Sequence, residues 1–200
     1  MELTLSAILG VLALLSVIGA VVCLVHLHRT ASDVDPLSGA VSYYGVGPHA
    51  RWYRAQVTLV GFGSLCVVWG LWGESVGGTV LVWLAVFGVS RLCIAWFPAD
   101  LPERGRTRDG LVHNLLAAAA FASSAIAASD LGRVLRDTPG WDLSGPLAAL
   151  GTAVVVTAIA LGVTWLVPRL HRSVFGLVER FWYVAVLAWL SVASVALVMV

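Results

Sequence analysis

Six apolar runs dominate the chain, at about residues 3–27, 55–72, 79–97, 111–129, 146–167 and 181–200, and the polar residues gather between them. Crossing the ~30 Å hydrocarbon core of a bilayer takes about 20 helical residues at ~1.5 Å each. Lipid offers no hydrogen-bond partner to a peptide group, so apolar runs of this length are predicted to be α-helices. The fold class is therefore all-α: a polytopic membrane protein whose 200 residues form a single bundle of six transmembrane helices. The first run is too long for a signal-peptide core, follows Glu2 rather than a basic segment and lacks a clean cleavage site, so it is expected to remain as a helix.

The interruptions carry most of the information. The first connector, from His28 to Arg51, is long, and its Asp-Pro, Ser-Gly, Tyr-Tyr-Gly and Gly-Pro turn signals with Tyr43 and Tyr44 predict a loop folded onto the bundle. On the second helix His49, Trp52, Tyr53 and Gln56 share one face, and Gln56 is expected to meet a partner inside the bundle. Arg91 lies ~9 Å below the end of the third run and must either snorkel outward or pair internally. Pro98 ends that run and leaves Asp100 at the membrane surface. The fourth run is mostly alanine and serine, which predicts close packing in the middle of the bundle, with Asp109 as N-cap and His113 in the first turn. Gly151 and Gly162 are predicted packing points of the fifth helix, and a last connector is expected to bring His171, Glu179 and Arg180 to the start of the sixth. Trp52, Trp96, Trp165 and Trp182 are expected at one interface and Trp69, Trp72, Trp83 and Trp141 at the other.

Composition makes the membrane reading firm: 60% of residues are hydrophobic, 12% are charged, and the mean hydropathy is +0.93, a balance no soluble domain of this size can bury. Localisation in the cell (plasma) membrane, as a multi-pass protein, is expected. All twelve basic residues are arginine, and only Arg133 and Arg136 lie on the face of the even connectors. The positive-inside rule then places the odd connectors in the cytoplasm. Cys23, Cys66 and Cys93 fall within apolar runs with no paired spacing and are expected to be small buried side chains.

The candidate chemistry lies on the odd-connector face, which holds all five histidines together with Asp33, Asp35, Asp100, Glu103, Asp109 and Glu179. Asp100 and His113 are candidate catalytic residues, a base and its orienting carboxylate. His49, Arg54, Glu179 and Arg180 are candidate ligand-binding residues, the arginines suited to an anionic group such as a lipid phosphate. The ligand so implied is amphipathic and anionic, bound and then hydrolysed or transferred, or bound only. The alternative is a non-enzymatic membrane scaffold or accessory subunit, in which the same acids cap helices. No metal-ligand spacing, phosphate-binding glycine loop or nucleic-acid patch is present, so no metal, cofactor or nucleic acid is expected. The expected partners are membrane lipids, with a membrane-protein partner or a second copy of the chain as further candidates.

Four segments in register carry a family resemblance: Gly47-Pro48-His49-Ala50-Arg51-Trp52-Tyr53-Arg54-Ala55; Phe97-Pro98-Ala99-Asp100; Gly110-Leu111-Val112-His113-Asn114 with Phe121; and Gly176-Leu177-Val178-Glu179-Arg180. Together they resemble the bacterial membrane proteins grouped as domain of unknown function 998, over nearly the whole chain. The resemblance implies a six-helix membrane fold, a distant likeness to DRAM and Frag-type proteins, and no established activity. Two features depart from the family pattern: Leu101 separates Asp100 from Pro102, and connector two lacks the arginines that family members tend to carry on even connectors.

Overall fold

The computed structural model describes residues 4–103 and 105–200, so the expected helix start at Leu3 and the connector residue Arg104 lie outside the described residues. Six helices follow one another: α1 (Leu5–Thr30), α2 (Ala50–Gly73), α3 (Thr79–Ile94), α4 (Arg108–Arg136), α5 (Ser144–Leu166) and α6 (Pro168–Met199). The first connector adds one 3-10 turn, Val41–Gly45. Five of the helices are long and apolar enough to cross a membrane, and α3 is shorter at 16 residues. Beyond Ile94 the amides of Trp96 and Phe97 donate to Cys93 and Ile94, a tightened last turn that Pro98 brings to a stop.

Each helix packs against the next in sequence, and α6 returns to α1 to close the ring, while α2 and α6 also meet across it. Short connections make neighbours antiparallel. Thus Gly10, early in α1, lies under Ser194 and Leu197, late in α6.

The structure departs from the sequence expectation at four places. Connector five is absent: Val167 alone joins α5 to α6, and Pro168 at the first helical position starts α6 well before Phe181. At 32 residues α6 is ~48 Å long, so its first turns, with exposed Arg169 and Arg172, project beyond the hydrocarbon core. His171, Glu179 and Arg180 are therefore helix residues, held in fixed register with one another. The second departure is α4, which is not central: 33% of its most apolar window is buried, against 61% for α6 and 56% for α2. Its alanines leave room instead of filling it. Third, Gly162 packs against nothing, whereas a Cβ on Gly151 would lie 2.2 Å from the Ala128 carbonyl oxygen, so α4 and α5 touch backbone to backbone at that point alone of the two. Fourth, Trp182 and Trp141 are buried within the protein rather than exposed at its surface, while Trp69, Trp72, Trp96 and Trp165 are exposed as a belt requires. Trp182 forms the centre of an aromatic cluster, edge-on to Phe121 at 4.6 Å and to Phe87 at 6.2 Å.

Candidate functional site

The turn between α3 and α4 is built around one carboxylate. Asp100 accepts from the Thr107 hydroxyl at 2.7 Å and from the Thr107 amide at 3.0 Å, and the same hydroxyl accepts from the Gly110 amide at 3.0 Å. Thr107, not Asp109, is thus the N-cap of α4. The two bonds from Thr107 hold the Asp100 carboxyl below the usual range. A Cβ at position 110 would stand 2.0 Å from the Asp100 carboxylate, so only glycine lets the latch close over the helix start.

One turn further along, buried His113 bonds through Nδ1 to the Phe97 carbonyl at 2.8 Å. A carbonyl only accepts, so Nδ1 carries the proton and Nε2 keeps its lone pair. Asp100 makes no hydrogen bond to His113; the expected base and carboxylate lie side by side at one cavity, each anchored to a different backbone segment.

Arg91 resolves the choice between snorkelling and pairing. It is buried in the bundle, where Nη2 donates to the Tyr183 hydroxyl and stands 3.4 Å from the Gln56 side-chain oxygen, so Gln56 meets Arg91 only at long range while its Nε2 has no partner among the described residues. The guanidinium also lies 5.2 Å from the Tyr183 ring centroid and 5.9 Å from that of Trp182. Its Nε is buried with no partner among the described residues, and no acid forms an ion pair with it.

Connector one roofs this space. Glu179, buried on α6, accepts from the Val41 amide at 2.7 Å. Its neighbour Arg180 donates to Gly39 O, Gly176 O, the Tyr44 hydroxyl and His28 Nε2. Gly45 packs flat on the Tyr53 ring, which a Cβ would meet at 2.7 Å. Adjacent residues of one helix thus fasten both edges of the cover.

Beneath it lies a cavity of about 490 Å³. Its polar lining is Tyr43, Arg91, Asp100, His113 and Glu179, and its apolar lining comes from α4 and α5, with Ala118, Ala122, Ala125, Ile159, Gly162 and Trp165. Ile159 and Trp165 are about three-fifths exposed, so the lining reaches the outer surface of the bundle. From His113 to Ala125 the helix rises ~18 Å, more than half the thickness of one ~30 Å hydrocarbon core.

Of the sequence candidates, Asp100, His113 and Glu179 converge on this cavity. His49 precedes α2, Arg54 points outward from it, and Arg180 lies on the other side of the cover, so these three do not line the space. Arg91, Tyr43 and Tyr53 complete the polar lining instead. The signal for Arg91 was present as a charge inside an apolar run, with Gln56 at matching depth on the preceding helix. Tyr43 was legible only as part of a loop folded onto the bundle, and Tyr53 only as sharing the helix face of Gln56. Among the described residues no group of three or more His, Cys, Asp or Glu side chains is placed to hold a metal.

Neither a curated protein nor a solved structure matches the chain. Residues 7–196 match the model of the family described as protein of unknown function (DUF998), and with nearly its whole length covered the chain belongs to that family.

Proposed function

We propose that this plasma-membrane protein takes up an amphipathic anionic, lipid-like molecule from the bilayer, its head beside Arg91, His113 and Glu179 and its tail between α4 and α5. One observation carries the reading: a buried arginine with an unpartnered Nε lines a cavity that also includes apolar α4 and α5 residues and the exposed Ile159 and Trp165. A guanidinium with no acid in ion-pair contact in a low-dielectric interior is costly, and an anionic head group placed against its Nε supplies that contact. Processing of the ligand has its own support in His113, whose Nδ1–H is committed to Phe97 and whose Nε2 lone pair is free to take a proton from water or a hydroxyl group.

Gly162→Phe tests the cavity directly, because nothing lies within 4 Å of a Cβ there and the added ring enters the cavity without displacing packed atoms. Native mass spectrometry of the purified protein should show an anionic amphipath retained by the natural chain and lost from the variant, with thermal stability unchanged. Equal retention by both would sink the proposal. Co-isolation of a stoichiometric membrane protein with no lipid would favour the scaffold or accessory-subunit role instead. Lipid profiling of cells carrying His113→Ala separates processing, which requires an altered profile, from binding alone.

A further inference from the structure

A second cavity, of about 560 Å³, lies between α1 and α6 and shares no lining residue with the first. Val21, Leu24, Val25, His28 and Arg29 form one face of α1 along it, and Arg180, Val184, Leu187, Ala188 and Ser191 form one face of α6. We propose that this groove is a separate binding site for an anionic phospholipid, with the phosphate between Arg29 and Arg180 and one acyl chain running toward Ser191.

Length, charge and free donors all favour that occupant. From Arg180 to Ser191 α6 rises ~16 Å, about one leaflet of a ~30 Å core, so a chain entering at the arginines fills the groove within its own leaflet. No acidic residue lines the groove. Asp35, the acid on connector one whose field reaches Arg180, accepts from the Leu37 amide and the Ser38 hydroxyl of its own turn. An ammonium head group would therefore meet two cations and no acid within the groove lining, while a phosphodiester with a neutral head group meets complementary charge. Arg180 spends its donors on His28, Gly39, Gly176 and Tyr44, which holds it rigid and leaves one Nη2 hydrogen. Arg29 is exposed at the end of α1 and forms no ion pair among the described residues. Arg180 is the fixed donor, and Arg29 brings an uncommitted guanidinium to it.

The test is native mass spectrometry of the full chain incubated with equal amounts of phosphatidylglycerol and phosphatidylcholine. One phosphatidylglycerol should be retained in preference. Arg29→Gln should weaken that retention about fivefold, the loss expected for one arginine at an anionic surface, without lowering the thermal midpoint. These measurements are made in the Gly162→Phe background, where the first cavity is blocked: that background should still retain one phosphatidylglycerol, and Ala188→Trp should abolish the retention by filling the groove. Equal retention of both lipids, or undiminished phosphatidylglycerol on Arg29→Gln, would mean ordinary boundary lipid only and overturn the assignment.

Discussion

Replacing Arg91 by methionine separates a structural arginine from one held ready for a ligand. Methionine keeps much of the length and apolar stem but removes the charge and all five donors. The Tyr183 hydroxyl loses a buried donor, which costs about 1–3 kcal/mol. The 3.4 Å contact to Gln56 lies beyond the usual hydrogen-bond range and adds little. Two ring contacts at 5.2 and 5.9 Å contribute about 0.5–2 kcal/mol more. Against these stands the desolvation of a guanidinium with no ion-pair partner, a penalty of several kcal/mol that the substitution removes. The opposing contributions are of similar size, so the ligand-free variant should stay within about 2 kcal/mol of the natural chain, roughly 4–8 °C in thermal midpoint at this chain length. Binding has no such compensation. One lost charge-assisted hydrogen bond, worth about 1.5–3 kcal/mol, weakens an anionic amphipath tenfold or more. Tryptophan fluorescence is a suitable stability readout because Trp182 stands beside the guanidinium, and native mass spectrometry reads retention. A large fall in midpoint of the delipidated protein, or retention equal to that of the natural chain, would refute the reasoning.

Two further outcomes follow from the same contacts. Gly151→Val should cost about 1–3 kcal/mol or more in thermal or denaturant unfolding, because the 2.2 Å approach is to the Ala128 backbone, which cannot rotate away; an unchanged midpoint would mean that α4 and α5 are not packed there. The Asp100 latch fixes the sign of one pH effect: its folded carboxyl is held low by Thr107, so the stabilisation is present above the ordinary value of ~3.9 and is lost as pH falls through the lowered folded value. Thermal midpoints should therefore be insensitive to Thr107→Val in their slope between about pH 5 and 8 and sensitive only in the acid region, and a slope at neutral pH abolished by Asp100→Asn would contradict the latch.

Hydrophobic length alone located all six helices, because a bilayer leaves a long apolar run few alternatives. It misplaced the start of α6, where Arg169, Arg172, Glu179 and Arg180 lower the local apolarity although the helical backbone is continuous from Pro168. Apolarity measures where lipid is, and hydrogen bonding decides where the helix is. The alanine run of α4 shows a second gap: small residues permit close approach, but whether a neighbour occupies the space depends on the partner surface. At Ala128 the partner is Gly151 and the backbones meet; nearer the start of α4, Ala117 and Ala118 line a cavity together with Gly162 of α5, where a Cβ would meet nothing within 4 Å. The polar residues were visible one by one, yet chain order did not separate Arg180 from Glu179. Glu179 and Arg180 are neighbours in sequence but diverge by about 100° around a helix, so one lines the first cavity and the other the second. Both bond connector one, Glu179 at Val41 and Arg180 at Gly39 and Tyr44. The cover is therefore shared, and a ligand that draws either side chain away from it loosens an edge of the roof common to both cavities.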